Sequence, residues 1–274
     1  KIEVFSPMSN TEEVIGSIDA LWRYPVKSMR GQTIEQAFIG YAGIYGDRLY
    51  AFKTSAGPSF FPYLTGRETQ DMLLYTPRFR HPEKAEQPIN WAEAEALSVG
   101  ITPVFSSAHE LAMDIAAPNG ELYAIDDPAL AQQLAASAGD DLEVSLTHSQ
   151  RAMTDCRPLS LISLQTGQQL ADETGIEIDS RRFRANIHLD LHSGQGFGED
   201  ELVGRSLKLG DKVVVTIVER DPRCAMITYD PDTGEATPEI LRHVTQQHQR
   251  NAGIYAAVVV EGMVTAGDAV KLIA

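Results

Sequence analysis

The chain has 274 residues, of which 43% are hydrophobic and 22% charged, a composition typical of globular proteins. Its formal net charge of −15 argues against binding nucleic acid or an anionic membrane surface, because both need a basic face. No apolar run approaches the roughly 18 residues of a membrane span, so no membrane association is expected. The length favours two domains. Two cysteines far apart fit a reducing compartment, the cytoplasm, although a single bridge stays open.

The first half of the chain predicts short strands separated by turns. They are expected at residues 14–24, 33–39, 49–52, 71–75, 101–105, 111–116 and 121–125. Residues 118–120, Pro-Asn-Gly, form a strong hairpin signal, whereas residues 76–90 have the composition of a loop. Short strands at regular spacing favour a β-barrel or sandwich over a helical domain.

Basic residues follow the first predicted strand. Lys27, Ser28 and Arg30 lie within four residues, and an ammonium, a hydroxyl and a guanidinium at this spacing can hold a phosphate or another anion. A solvated basic loop is the alternative, because loops commonly carry charge. Arg48 either points into such a site or pairs with Asp47 at the surface, and the pattern does not decide between the two.

The second half mixes helices with strands. Asp127 and Pro128 predict a helix start and Gly139 its end. A second helix is expected at residues 166–173, where the free N–H groups around Thr166 suit an anion. The other elements are strands at residues 142–147, 157–163, 183–190, 205–209, 213–218, 255–261 and 269–273, and a helix at 238–250. On the strand at 183–190, Arg184, Asn186 and His188 are predicted to share one face, as in a binding site or a solvent-facing surface.

Cys224 lies just beyond a hydrophobic run, in the segment ERDPRCAMITYDPDTGE. Arg220 and Arg223 are close by, and positive charge favours thiolate over thiol. A thiolate is a good ligand for a soft or high-valent metal. The alternative is a small buried hydrophobe, the common fate of a free cysteine. Residues 230–234 are interpreted as a turn that positions Cys224.

Several familiar site patterns are absent from the sequence. It contains no GxGxxG, no GxxxxGK[ST], no HExxH, no CxxC and no GxSxG motif. His188 and His192, four apart, and His243 and His248, five apart, have no cysteine or carboxylate at matching spacing. These four histidines are therefore interpreted as structural or solvated rather than as metal ligands.

The motifs of the chain occur in the order seen in MOSC proteins, and the chain resembles the subgroup in which an N-terminal MOSC β-barrel domain precedes the MOSC domain. The resemblance rests on YPVKSMRG, GIYGDR, YLTGRETQDMLL, RPLSLIS, DSRRFRANI, GRSLKLGD, RCAMITYDPDTGE and GIYAAVVVEGMVTAGDAVKL. This subgroup includes the mitochondrial amidoxime-reducing component, its bacterial counterparts and the C-terminal part of molybdenum cofactor sulfurase. Ala185 departs from the family, which usually has proline there, and Cys156 is interpreted as structural.

The resemblance implies a mostly β, α+β fold: an N-terminal barrel domain over residues 1–126 and a MOSC domain over residues 127–274 with its own barrel and a few helices. It also implies a pyranopterin molybdenum cofactor (molybdopterin) between them, with Cys224 as catalytic residue and metal ligand. The residues that match cofactor-binding positions of the family are Lys27, Ser28, Arg48, Thr166, Arg182, Arg184, Asn186 and Arg223.

The activity implied is molybdenum-dependent reduction of N-hydroxylated compounds, such as hydroxylamines, amidoximes and N-hydroxylated bases. Electrons are expected from a separate reductase or iron–sulfur protein, because an iron–sulfur cluster needs about four cysteines and this chain has two. Two alternatives remain at this point: a cofactor carrier or sulfur-handling module without its own turnover, and a scaffold that has lost the cofactor.

Overall fold

The computed structural model describes residues 12–96, 110–139 and 142–273. The strand predicted at residues 101–105 lies outside these ranges. The described strands are β1 (Glu12–Arg23), β2 (Gln32–Ile34), β3 (Gln36–Gly40), β4 (Gly43–Ile44), β5 (Tyr50–Thr54), β6 (Thr76–Phe79), β7 (Met113–Ala116), β8 (Leu122–Ala124), β9 (Val144–His148), β10 (Leu159–Ser163), β11 (Ile187–Leu191), β12 (Ser206–Leu209), β13 (Val213–Pro222), β14 (Asn251–Val260), β15 (Gly262–Thr265) and β16 (Ala269–Ile273).

Helices are fewer than strands in the described ranges. The α-helices of the described residues are α1 (Trp91–Glu95), α2 (Pro128–Ala138), α3 (Leu164–Thr174) and α4 (Pro238–Gln247). Short 3-10 helices cover Gln70–Leu74, Pro82–Ala85, Ser180–Phe183, Gly198–Leu202 and Ala225–Thr228. None of these helices is long and apolar enough to cross a lipid bilayer. The predicted fold class, mostly β with a few helices, is confirmed.

Seven strands close into a barrel in the order β1–β11–β10–β14–β13–β12–β16, with β16 pairing back to β1. Six of the pairings are antiparallel, and β10 and β11 are parallel. The interior is filled by alternating aliphatic side chains, among them Leu21, Leu161, Leu189, Val215 and Ile254. Alternation along each strand sends these residues inward and the polar ones outward.

A second core lies beneath two small sheets, β5–β9 and β6–β7–β8. Phe52, Met72, Met113 and Leu130 are buried in it. The third small sheet, β15–β3–β4, packs on the first core through Ile39, Ile44 and Val264. The strand pairing crosses residue 126 in both directions: the N-terminal β1 completes the barrel of C-terminal strands, and β9 and β15 pair with the N-terminal β5 and β3. The domain boundary at residues 126 and 127 stays a prediction.

A third core joins α3, α4 and the 3-10 helix Ala225–Thr228, which follows Cys224. Its buried residues include Leu170, Ile227, Ile240 and Val244. The helix α3 begins at Leu164, where the Ser163 hydroxyl accepts the N–H of Thr166, and ends at Gly175 in a left-handed conformation. This core fixes the turn that carries Cys224 against two helices.

Three strand and loop predictions are wrong. Residues 70–74 form a 3-10 helix with Met72 and Leu73 buried, because a short apolar run fits either periodicity. Residues 76–90, predicted as loop, contain β6 and a 3-10 helix.

The third error concerns the strand predicted at residues 183–190, which begins only at Ile187. The Asp179 carboxylate accepts the N–H of Arg181 and starts a 3-10 helix, which Arg184 ends at φ 53°. Arg184 therefore lies outside the strand and does not share a face with Asn186 and His188.

Burial of His188 in β11 makes the stability of the fold depend on pH. His188 is 2% exposed, and its Nε2 has no partner among the described residues. Burial lowers the pKa of His188 to about 4, against about 6.5 in an unfolded chain. The unfolded chain therefore binds the proton first as pH falls. Stability that is fully present above about pH 6.5 is lost as pH falls through 4, by up to about 3 kcal/mol.

We expect His188→Gln to flatten the dependence of the free energy of unfolding on pH between about 6.5 and 4. Urea denaturation at a series of pH values measures this. The matched control His192→Gln changes an exposed histidine one residue beyond the same strand and should keep the wild-type slope. An unchanged slope in His188→Gln would contradict the assignment.

Candidate cofactor site

A cleft lies between the loop after β1, the loop before β10 and the segment that joins β13 to α4. It brings together eight of the nine residues predicted from the sequence: Lys27, Ser28, Arg48, Arg182, Arg184, Asn186, Arg223 and Cys224. Seven basic side chains line it, against the two acidic side chains Asp155 and Asp221. An acidic protein therefore carries a locally cationic cleft, which favours an anionic ligand.

Thr166, the ninth predicted residue, does not line the cleft. It is fully buried, and its hydroxyl donates to the Glu199 carboxylate at 2.7 Å. The same carboxylate accepts the N–H and the hydroxyl of Ser163. The anion predicted for the start of α3 is thus a side chain of the protein itself, and the structure gives Thr166 no contact with the cleft.

Lys27 is held by both halves of the chain. Its Nζ donates to the Met153 carbonyl at 2.9 Å and to the carboxylate of Asp155. The rings of Phe61 and Tyr63 lie 5.1 and 5.3 Å from the ammonium. Burial lowers the pKa of Lys27, although Asp155 opposes this. The ammonium is therefore desolvated, and an anion would replace the stabilisation of its charge that burial removes.

Arg48 and Arg184 enclose the ring of Tyr24. Their guanidinium carbons lie 4.8 and 4.3 Å from its centroid. Arg48 pairs with Asp47 at 2.5 Å and donates to the Arg184 carbonyl at 3.0 Å, while Arg184 donates to the Met29 carbonyl at 2.8 Å. Burial lowers the pKa of Arg184 to about 10 and raises that of Tyr24 to about 12. Two cations are thus fixed against one aromatic ring, and of the two only Arg48 has an ion pair within the described ranges, with Asp47.

Three of the predicted residues have left-handed backbones. Ser28, Arg48 and Arg184 have φ of 64°, 45° and 53°, and only six non-glycine residues in the described ranges have positive φ. This conformation is costly for residues with a side chain and gathers at functional sites. The strained backbones and the basic side chains therefore lie in the same cleft.

Arg223 is held by the protein, although its Nη2 makes no hydrogen bond within the described ranges. Its Nε donates to the Ala252 carbonyl at 2.6 Å and its Nη1 to the Phe183 carbonyl at 2.8 Å, while Nη2 lies 2.9 Å from the Asp221 carboxylate. Burial raises the pKa of Asp221, against the opposing charge of Arg223. The contacts of Arg223 support a role in holding the strand end before Cys224.

Arg182 and Asn186 are similarly occupied. Arg182 donates to the Thr228 carbonyl at 2.8 Å and to the Asp230 carboxylate at 3.1 Å. The Asn186 amide donates to the Trp22 carbonyl at 3.3 Å. Both residues line the cleft, but these donors already have protein partners, so they shape its wall more than they supply free donors.

Cys224 follows the end of β13 and precedes the 3-10 helix Ala225–Thr228. It is a free cysteine of intermediate exposure, and no described residue donates a hydrogen bond to its sulfur. The turn beyond it forms as predicted: the Asp230 carboxylate accepts the N–H groups of Asp232 and Thr233, and Gly234 has φ 74°. Because Arg182 also binds Asp230, the turn is tied to the cleft wall.

The sequence reasoning missed several cleft residues, notably Arg67, Asp155, Arg157, Asp221 and Tyr255. Arg67 looks like an ordinary loop cation, although its side chain bonds Thr65 at 3.2 Å and stacks over Phe61 at 4.9 Å. Arg67, Arg157 and Tyr255 lie within motifs that carry the family resemblance, but no pattern in the sequence assigns any of the five residues to the cleft, because each reaches it only through the fold. Cys156, interpreted as structural, is exposed and does not line the cleft.

A second cavity, of about 250 Å³, shares Arg182, Arg184 and Met226 with the cleft of about 100 Å³. Together they reach the lower end of the range of ligand sites, about 300 Å³. The second cavity is lined by residues whose buried polar atoms have no partner in the described ranges: Trp22 Nε1, Tyr24 Oη, Arg30 Nε and Arg182 Nε. Buried cations, spare donors and a free thiol fit a phosphate-bearing cofactor whose metal takes a thiolate.

Family comparison agrees with this geometry. The profile of the MOSC N-terminal beta barrel domain matches residues 15–137, and that of the MOSC domain matches residues 148–271. The chain therefore belongs to the MOSC domain proteins that carry the N-terminal β-barrel domain. This family is associated with molybdenum cofactor binding and with the C-terminal region of molybdenum cofactor sulfurase.

Solved structures similar to the chain include the YuaD protein of Bacillus subtilis, at 13% identity and a TM-score of 0.47, over 96% of this chain and 99% of that one. YiiM from Geobacillus stearothermophilus and YiiM from Escherichia coli each share 17% identity over 43% of this chain. These matches cover 54% and 55% of the YiiM chains, with TM-scores of 0.35 and 0.32. A search of curated proteins found no match.

Ser28 allows a test of the strained backbone. Because its φ is 64°, we expect Ser28→Gly to raise the free energy of unfolding by about 0.5–1 kcal/mol, the relief of left-handed strain less the entropy cost of glycine. Chemical denaturation measures the change. Ser145→Gly, the same substitution at an exposed position of strand β9, should instead lower stability. A destabilised Ser28→Gly would show that the side chain, not the backbone, is what the fold needs.

Proposed function

We propose that this protein is a cytoplasmic molybdenum-cofactor-dependent reductase of N-hydroxylated compounds, with electrons supplied by a separate redox partner. The observation that carries the proposal is a free cysteine at the edge of a cleft lined by seven basic side chains. A pyranopterin phosphate needs buried positive donors, and its metal needs a soft ligand. The cytoplasm is the compartment that keeps such a thiol reduced.

Each group of cleft residues has its own task in this proposal. The Cys224 thiolate would hold the metal. Lys27, Ser28 and Arg184 would hold the anionic part of the cofactor, because Lys27 and Arg184 are desolvated cations and the Ser28 hydroxyl has no partner in the described ranges. Arg182 and Arg223 would add charge and keep the walls in place through their carbonyl contacts.

The overall reaction for a hydroxylamine is R–NHOH + 2e⁻ + 2H⁺ → R–NH₂ + H₂O. When bound, the cofactor would supply the two-electron redox chemistry. The protein has to deliver protons, and Asp221 suits this task. It lines the cleft, burial raises its pKa, and the Ser160 hydroxyl donates to it at 3.0 Å.

In this proposal the electrons come from a separate redox partner. The two cysteines are too few to ligate an iron–sulfur cluster, and one of them is assigned to the molybdenum. An iron–sulfur protein or a flavin reductase in trans therefore fits the proposal. The 57–64 loop lies beside the cleft, because the rings of Phe61 and Tyr63 contact the Lys27 ammonium. This loop carries the 88% exposed Phe60, which such a partner or a substrate would be able to reach.

Lys27 tests the anion-binding half of the proposal. We expect Lys27→Met to lower the retention of pterin by about 10- to 100-fold, because a charge-assisted hydrogen bond contributes about 1.5–3 kcal/mol. Fluorescence of the oxidised pterin released from purified protein measures retention. Lys53→Met removes an exposed lysine from β5 and should retain the wild-type amount. Equal pterin in both variants would remove Lys27 from the cofactor site.

Cys224 tests the catalytic half. In protein loaded with cofactor, we expect Cys224→Ser to lower the reduction of a hydroxylamine with an artificial electron donor by at least about 100-fold, since even outer-sphere changes at metal sites cost 10- to 100-fold. The matched control is Cys156→Ser, which removes the exposed cysteine outside the cleft and should keep activity.

Other outcomes of that assay separate the alternatives. Activity retained by Cys224→Ser with molybdenum bound would remove the catalytic assignment. Molybdenum bound by the wild type without turnover of any N-hydroxylated compound would favour a cofactor carrier or sulfur-handling module. Protein free of molybdenum after expression in a cofactor-competent host would contradict both.

A further inference from the structure

Two histidines and a glutamate meet at the rim of the contact between α3 and α4. Glu173 lies in the last turn of α3, His243 lies in α4, and His248 directly follows α4. The Nε2 atoms of His243 and His248 lie 2.7 and 2.6 Å from the same Oε2 atom of Glu173. The three ligand atoms all lie within 4.8 Å of one another. None of the three residues lines the cofactor cleft.

The third core brings these residues together. Leu170 of α3 packs with Ile240 and Val244 of α4. Glu173 and His243 lie three residues, about one helical turn, after Leu170 and Ile240, so each is carried to the edge of the apolar contact. The interpretation of these histidines as structural or solvated stays a prediction. Its premise missed Glu173, because this carboxylate comes from another helix, 70 and 75 residues away in sequence.

We propose that Glu173, His243 and His248 form a binding site for a divalent transition-metal ion of the zinc class. Two imidazoles and one carboxylate, with a water in the open fourth position, are a ligand set that zinc accepts. The metal–ligand bonds of such sites, about 2.0–2.2 Å, place tetrahedral ligand atoms about 3.3 Å apart. The two nitrogen–oxygen separations would have to widen by less than about 1 Å to reach this.

Neighbouring side chains hold two of the three ligands in position. The Gln169 amide donates to the other oxygen of Glu173 at 2.7 Å, as outer partners of metal carboxylates do. The ring of His248 stacks on Phe197, with centroids 3.8 Å apart and planes 10° from parallel. Burial opposes ionisation of Glu173, but the hydrogen bonds from Gln169 and both histidines lower its pKa to about 2. The carboxylate is thus held as an anion.

The site is open to ions from solution. The side chains of Glu173, His243 and His248 keep 29%, 23% and 14% of their exposure. A bound ion would join α3 to α4, and α4 packs on Ile227, three residues beyond Cys224. The ion would therefore stiffen the support of the Cys224 turn without entering the cleft. This inference does not depend on the proposed reductase activity.

The test is a zinc titration of the full chain, purified without a histidine tag, stripped with a chelator and measured by competition with a chromophoric zinc indicator. We expect one equivalent of zinc to bind to the wild type and to His192→Gln, which changes an exposed histidine elsewhere. His243→Gln, His248→Gln and Glu173→Gln should each weaken this equivalent by at least about 100-fold. Equal binding by the wild type and these three variants would overturn the proposal.

A second measurement does not depend on how well the variants fold. Cobalt added to the stripped wild-type chain should give the visible bands of a four-coordinate nitrogen and oxygen site. A sulfur-to-cobalt charge-transfer band alone, lost in Cys224→Ser, would place the ion on the cysteine and overturn the assignment. Thermal unfolding gives a third readout: zinc should raise the Tm of the wild type and His192→Gln but not of His248→Gln.

Discussion

Positive charge is concentrated and desolvated in one cleft of a protein whose net charge is −15. Cations that lose water without an equal number of counter-ions are unfavourable, and the lowered pKa values of Lys27 and Arg184 express this. The fold tolerates it through the Tyr24 ring between Arg48 and Arg184 and through carbonyls that accept their N–H groups. The arrangement of these cations therefore favours an anion, and binding of an anion would relieve the electrostatic cost of burying them.

Barrel closure makes that cleft possible. The N-terminal β1 completes the barrel between β11 and β16. The loop after β1, which carries Lys27 and Ser28, therefore lies next to Arg184, in the turn that precedes β11. The backbone is strained where these segments meet, because Ser28, Arg48 and Arg184 all adopt left-handed conformations there. The placement of the cations and the backbone strain therefore both follow from the closure of the barrel by β1.

Helix α4 lies between the two proposed sites. On the inner side of α4, Ile240 and Val244 support the turn that follows Cys224. At its outer end, His243 and His248 converge on Glu173 of α3. A cleft for an anionic cofactor and a rim site for a small cation can coexist because the intervening apolar core keeps their charges apart.

The sequence by itself determined much of the protein. Alternating aliphatic runs gave most barrel strands, Asp127 and Gly139 bounded α2, and ordered motifs around Lys27, Arg184 and Cys224 gave the family and eight residues of the cleft. These features are local or follow from the order of the family motifs along the chain.

Only the tertiary structure decided the remainder. It placed Thr166 on the buried Glu199 and turned Arg184 out of the predicted strand through the Asp179 cap. It added Arg67 and Asp155 to the cleft and paired His243 with Glu173. Apart from the local Asp179 cap, each of these depends on which distant segments become neighbours, and spacing along a chain carries no information about a partner from another element.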